Sequence, residues 1–326
     1  MFRGLPARLR GALPIVSTTH LMLAASDPAQ WYHWLSWAML ALGFASALVI
    51  LVDEFALGYR QHMAIMNLVH PITALYWGPV WVWAYFTRGR KSSKKWAHRR
   101  AKELLEEAPD AAGAKRRGEE LEQQGESTDP SNMRPWHIGN AVSHCGAGCT
   151  LGDITAEWLV VTLAITWFGK WSGHTLPEEL LLDFLFAWTF GIAFQYFTIA
   201  PMSGEKGPKG VWHAIRVDTA SIVAFQVGLF AWMAFFMLVL WPHHGIKIDS
   251  PDFWFQMQIG MICGFFTAWP VNKWLVSRGI KEKMDYRRHL GTMLQQMADE
   301  DGATREPAER DREVVGGGAT GGSSGS

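Results

Sequence analysis

The densest set of residues able to do chemistry is His144-Cys-Gly-Ala-Gly-Cys-Thr-Leu-Gly-Asp153, followed one turn later by Glu157. On a helix advancing about 100° per residue, Cys145, Cys149, Asp153 and Glu157 step by four and form one slowly drifting stripe. His137 and His144, seven apart, share a neighbouring stripe, and Gly148 and Gly152 lie between the two. Two thiols one turn apart admit three readings. A disulfide is the weakest, because parallel Cβ directions on one helix give poor bridge geometry. A soft-metal site is better: thiolates suit Cu(I) or zinc, and His144 offers a nitrogen. Zinc normally needs four ligands, whereas Cu(I) accepts two or three, so the small set favours Cu(I). The third reading is a close helix–helix seam of small residues, with Gly148 and Gly152 as its contact. Asp153 and Glu157 on the same stripe weigh against that reading and suit a relay or secondary-ligand role.

Weaker candidates lie elsewhere. Cys263 follows Met257 and Met261, which are one turn apart and offer thioethers on an entry path. His70 precedes Pro71, and Asp218 stands close to Arg216, where an ion pair reaching to the surface is the plainer reading. Lone amides such as Gln195 and Gln226 are expected to hydrogen-bond between helices, and either is a partner for Asp153. No phosphate-binding loop, dinucleotide glycine fingerprint, HExxH or GxSxG is present.

The elements that must position these residues follow from the hydropathy pattern. Of 326 residues 49% are hydrophobic, with 18 Trp, 14 Met and only 3 Cys, and 30 basic residues balance 30 acidic ones. Charge is segregated: the block Arg88–Arg134 holds 12 of the basic residues. This excludes a soluble globular enzyme, a disulfide scaffold and a nucleic-acid binder with a broad basic face, and predicts a multipass membrane protein whose partner is the lipid bilayer. Six apolar segments are long enough to cross, at about 31–52, 63–86, 138–168, 180–202, 212–241 and 252–276. Strands are not expected, since backbone in lipid must satisfy its own hydrogen bonds and no alternating ten-residue pattern occurs. The fold class is therefore an all-α integral membrane bundle of about six transmembrane helices.

With six spans, every cluster of Lys and Arg falls on one side if both termini are cytoplasmic, which predicts an inner-membrane protein in that orientation. On this division residues 1–30 form an N-terminal cytoplasmic segment, 31–87 carry helices 1–2, and 88–135 are a charged cytoplasmic insert. Residues 136–284 carry helices 3–6 with the Cys/His/Asp motif, and 285–326 are a largely disordered cytoplasmic tail ending in Gly/Ser. Residues 1–30 start basic like a secretion signal, but Ser17, Thr18, Thr19 and His20 interrupt the apolar part. Within the insert, 97–128 reads as a cytoplasmic helix broken at Pro109 or as a solvated charged linker.

The motif from His144 to Asp153, with Glu157-Trp158, resembles the signature of a bacterial multipass family, domain-of-unknown-function family 4396. Supporting stretches are Pro71–Tyr76 with Gly78-Pro79, Phe194–Phe197 through Ala200-Pro-Met202, and Pro270-Val-Asn272 with Gly279–Met284. The resemblance implies no established activity. Copper-oxidase names among such relatives make copper the suggested cofactor or cargo. His70 and Cys263 depart from the family's pattern, so neither carries a role general to it. The expectation is a membrane protein that binds a soft metal ion, Cu(I) favoured, through His144, Cys145 and Cys149, with Asp153 and Glu157 assisting, and moves it or hands it on. The alternatives are a thiol redox protein cycling Cys145 and Cys149, and a membrane scaffold that uses the basic insert for partners.

Overall fold

The structure, a computed structural model, describes residues 28–129, 133–163, 176–203, 207–240 and 248–317. The expectations for the N-terminal segment 1–27, for loop residues 164–175 and 241–247, and for the final residues 318–326 fall outside these. The described residues are helical, with one isolated bridge pairing Gln61 and Ser93. Helix α1 spans Pro28–Leu51 and runs on through a wider turn, Val52–Ala56. Two short helices follow, α2 (Met66–Trp77) and α3 (Pro79–Thr87), and then two charged ones, α4 (Lys94–Glu107) and α5 (Ala111–Glu126). The motif lies on α6 (Pro135–Leu163), followed by α7 (Leu176–Ser203), α8 (Pro208–Phe235) and α9 (Pro251–Ser277), and α10 (Tyr286–Gly317) closes the chain.

Three of these helical stretches are long and apolar enough to cross a membrane: Gln30–Ala56, Leu180–Thr198 and Pro208–Leu240. Helices α6 and α9 have the length, 29 and 27 residues, but carry buried polar residues that dilute their hydropathy. The surface is apolar where a soluble protein would be polar. Phe44, Trp83, Leu238, Val239 and Phe266 are all at least 60% exposed, as side chains meeting lipid should be.

The segment 63–86, expected as a second crossing, is instead a helical hairpin. Gly78 takes φ 56°, ψ −137°, a conformation open to glycine, and Pro79 opens the next helix. Helix α3 then returns alongside α2: the His70 ring lies 5.2 Å from that of Tyr85, and Gly89 packs against the same imidazole. The residues before α2 and after α3 consequently meet, His62 N–H donating to Ser92 O at 3.0 Å and Lys94 N–H to Arg60 O at 2.9 Å. At about 1.5 Å per residue the arms measure about 18 and 14 Å, too short for a hydrocarbon core of about 30 Å. Continuous hydropathy concealed the reversal, because both arms and the tip are apolar.

The hairpin changes the arrangement of ends. Asp53 at the close of α1 receives Tyr85 Oη at 2.9 Å and Arg90 Nη2 at 2.8 Å, so that end of α1 lies with the basic block. The start of α1 lies at the other end, where His33 meets Asp252 at 3.2 Å and Tyr32 meets Gln256. Residue 28 and helix α10 therefore stand at opposite ends of the bundle.

Residues 285–326, expected as a largely disordered tail, contain the helix 286–317. Its first part packs through Leu290, Leu294 and Ala298 on Ala101, Leu104 and Ala114 of the charged insert. The insert forms helices α4 and α5 with a break at Pro109; Ser93 and Asp110 cap them, accepting from Trp96 N–H and Gly113 N–H. Each is a solvated charged face with one narrow apolar stripe, and together the three helices bury those stripes.

Candidate functional site

Every member of the motif stripe is buried: Cys145, Cys149 and Asp153 are fully so, and Glu157 is 8% exposed. Small residues make this possible. A Cβ at Gly148 would stand 2.6 Å from Gly191 Cα, and Gly152 packs as closely on Ala187, so α6 and α7 touch backbone to backbone. The seam expected of Gly148 and Gly152 is thus present, on the flank of the cysteine stripe rather than in place of it.

The two thiols stand one helical turn apart, and both are free and buried. The tip of the hairpin reaches them. Tyr76, in the last turn of α2, lies near both thiols with its hydroxyl packed on Gly146. The tip is fixed by Gln258 Nε2, which donates to Leu75 O at 2.6 Å, and by the Trp77 ring against Phe265 at 5.3 Å.

Asp153 accepts a hydrogen bond at Oδ1 from Gln226 Nε2 of α8 at 2.9 Å, while its Oδ2 has no partner. That realises the interhelical bond expected for Gln226. Glu157 follows one turn on and acts electrostatically on Asp153.

The other candidates are dispersed. His144 turns toward α7, where its Nε2 meets the Thr198 hydroxyl, and its Nδ1 has no partner. Among the described residues no three His, Cys, Asp or Glu side chains are placed to hold one metal ion. His144 therefore does not complete a three-ligand set with the thiols. Cys263 is half-buried on α9, apart from the paired thiols. Met261 Sδ accepts the Thr150 hydroxyl at 3.4 Å. His70 is enclosed at the base of the hairpin by Trp81, Tyr85 and Trp136, with Trp136 stacked at 6.2 Å. It has no part in a thiol site.

Asp218 does not pair with Arg216. Lys281 Nζ lies 2.6 Å from Asp218 Oδ1, 2.9 Å from Asn272 Oδ1 and 3.1 Å from Ala141 O, and all three of its donors are used inside the protein. Asn272 Nδ2 in turn donates to Ser221 Oγ at 2.6 Å. The lysine comes from the turn after α9 and ties α6, α8 and α9 together. Sequence reasoning counted Lys281 among the basic residues that mark an orientation. Nothing in its local pattern separates a lysine that turns inward from one that faces solvent.

No curated protein and no solved structure matches the chain. The stretch holding the thiols, Asp153, Asp218 and Lys281 does match a family, and the resemblance seen in the motif holds there: residues 136–281 match the model of the family described as Domain of unknown function (DUF4396).

Proposed function

We propose that this chain is a multipass inner-membrane protein that receives a soft metal ion, Cu(I), at the paired thiols Cys145 and Cys149 and hands it on. The single observation carrying this reading is the thiol pair itself: two free, fully buried cysteines one turn apart on α6. Two thiolates suit Cu(I), which accepts two or three ligands, better than zinc, which normally needs four. Metal binding requires thiolates and so releases protons. Asp153, with one free oxygen, and Glu157 one turn further provide acceptors leading away along the same face.

In this reading α1, α6, α7, α8 and α9 cross the membrane, and α2–α3 enter from the cytoplasmic side and return. Irregular backbone at membrane depth is tolerated where protein encloses it, as around Gly78. The basic insert and α10 are cytoplasmic, and residue 28 is on the opposite side. A thiol–disulfide cycle is disfavoured because both cysteines project from one helix one turn apart.

The test is anaerobic Cu(I) loading of the purified protein with copper measured per chain. One ion in the wild type and in Cys263→Ser, against less than a tenth in Cys145→Ser/Cys149→Ser, is the expected result. Equal copper in wild type and double variant would remove the proposal. Recovery of a Cys145–Cys149 disulfide from air-grown membranes would favour redox cycling instead.

A further inference from the structure

A cavity of about 70 Å³ opens at the basic end, where three separate parts of the chain meet. Arg88 and Lys91 line it from just after α3, Arg134 from just before α6, and Arg287 from the first turn of α10. Trp136 and Tyr286 form aromatic walls, and no Asp or Glu lines it. The volume is far below the roughly 300 Å³ at which sites for whole small molecules begin, and suits one small polar group.

The positive charges here are not matched. Asp285, just before α10, is buried and already held by Arg287 at 2.7 Å, His137 at 3.3 Å and Lys283 at 3.6 Å. Among the described residues Arg88, Lys91 and Arg134 form no ion pair, and Lys91 Nζ stands 5.9 Å from the centroid of the Tyr286 ring. Helix α6 opens at Pro135, so the partial positive charge of its N-terminus adds to the same place. The level is that of a membrane surface. Helix α3 ends at Thr87 with Trp83 and Phe86 exposed, and Arg88, also exposed, follows directly. Aromatic rings beside basic residues suit the boundary between lipid and water.

We propose that this cavity binds the phosphate group of an anionic phospholipid. The guanidiniums of Arg88 and Arg134 offer the paired N–H donors that match phosphate oxygens, and the Lys91 ammonium adds a point charge. The acyl chains then lie against the apolar face of α3 that exposes Trp83 and Phe86. A zwitterionic headgroup carries its own cation and gains less from three unpaired ones. The level of the site rests on the membrane placement of α3 and α6 read above. The charge match does not, and metal at the thiols plays no part in it.

The experiment is native mass spectrometry of the full chain released from detergent micelles doped with dioleoyl phosphatidylglycerol or dioleoyl phosphatidylcholine. The expected result is one retained phosphatidylglycerol, bound at least about tenfold more tightly than phosphatidylcholine. Arg88→Gln/Arg134→Gln should weaken phosphatidylglycerol about twentyfold to thirtyfold, or about fivefold per charge removed, and leave phosphatidylcholine unchanged. Arg99→Gln/Lys102→Gln removes the same charge from exposed positions on α4 and should change neither. All four side chains are exposed or border solvent, so both variants should fold. Sodium phosphate should displace the lipid no better than sodium chloride of equal ionic strength. Equal retention of the two lipids, equal losses in the two variants, or stronger displacement by phosphate than by chloride would each overturn the proposal. The last of these would assign the cavity to a soluble phosphate. No copper enters this test, so its failure leaves the thiol reading standing, and loss of that reading leaves this one.

Discussion

Lys281 and Asp218 form a fully buried ion pair, Nζ to Oδ1 at 2.6 Å, that joins the turn after α9 to the interior of α8. Burying two charges is costly, and the cost is offset here because Asn272 and Ala141 take the remaining ammonium protons. The same ammonium holds the Ala141 carbonyl of α6, so the pair's integrity governs how the motif helix is held.

Breaking that pair from one side should be severe. Lys281→Met or Asp218→Leu leaves an isolated buried charge and should lower stability by about 3–5 kcal/mol. The double variant Lys281→Met/Asp218→Leu should recover much of this loss. Thermal unfolding of the four proteins in one detergent measures the coupling, and additive losses would show that the two residues act separately.

The hairpin makes a topological prediction that six crossings would not. Arg60 and Lys95 flank α2–α3 and stand at one end of the bundle, Lys95 Nζ donating to Leu57 O at 2.9 Å. Reporters inserted at Arg60 and after Ser127 should both be cytoplasmic, with one at His33 exposed outside. An Arg60 reporter on the outer face would restore α2–α3 as a crossing and return the start of α1 to the cytoplasm.

The α6–α7 crossing should reject bulk. Gly148→Val drives a branched side chain into Gly191 backbone that cannot move aside. A loss of at least about 1–3 kcal/mol is expected, the usual result of overpacking a tight contact. Gly58 has a φ of 79° but open space on the side where a Cβ would project, with no atom within 4 Å. Changing it to Asn, a residue that tolerates that conformation, should cost less. Equal melting shifts for the two would deny that the seam is close.

Asp153→Asn keeps an oxygen acceptor for Gln226 and removes the carboxylate. Folding and thiol content should be unchanged. Under the proposed function, proton release on Cu(I) loading, read with a pH indicator, should slow while its final amount per bound ion is unchanged. Normal release would leave Asp153 as an interhelical hydrogen-bond partner only.

The basic end should loosen in mild acid. His62 and His289 stack with ring centroids 3.9 Å apart, joining the α1–α2 loop to α10. Burial depresses the pKa of both imidazoles, with Lys94 adding to the effect on His62. His62 and Arg288 add to it on His289, which falls to about 4. A depressed folded-state value means that the contact is fully stabilising above the unfolded value of about 6.5 and weakens as pH falls toward 4. Nearby Asp285 does not set this window: burial raises its pKa, but hydrogen bonds from Arg287 and the surrounding positive charges outweigh that and keep it ionised below the usual carboxylate range. Protection factors for the amides of 286–298, taken against the intrinsic exchange rate at each pH, should therefore fall from about pH 6.5 to about 4.5 in the wild type and much less in His289→Gln. Identical pH profiles would place the sensitivity elsewhere.

Sequence alone determined the helical class, the buried stripe and the close seam, since each is a local pattern. Apolar runs of about 20 residues, thiols and carboxylates at intervals of four, and paired glycines carry their meaning wherever the helix is placed. The family resemblance rested on the same local motif. Tertiary structure decided what the patterns meet. Hydropathy is scalar and does not record a reversal, so one glycine at positive φ turned an apparent crossing into a hairpin and moved the start of α1 to the other end. The partners of Asp218 and His144 lie 63 and 54 residues away, on elements whose placement no spacing rule supplies. Lys281 turned inward because only there did an aspartate, an asparagine and a free carbonyl together match an ammonium's three donors.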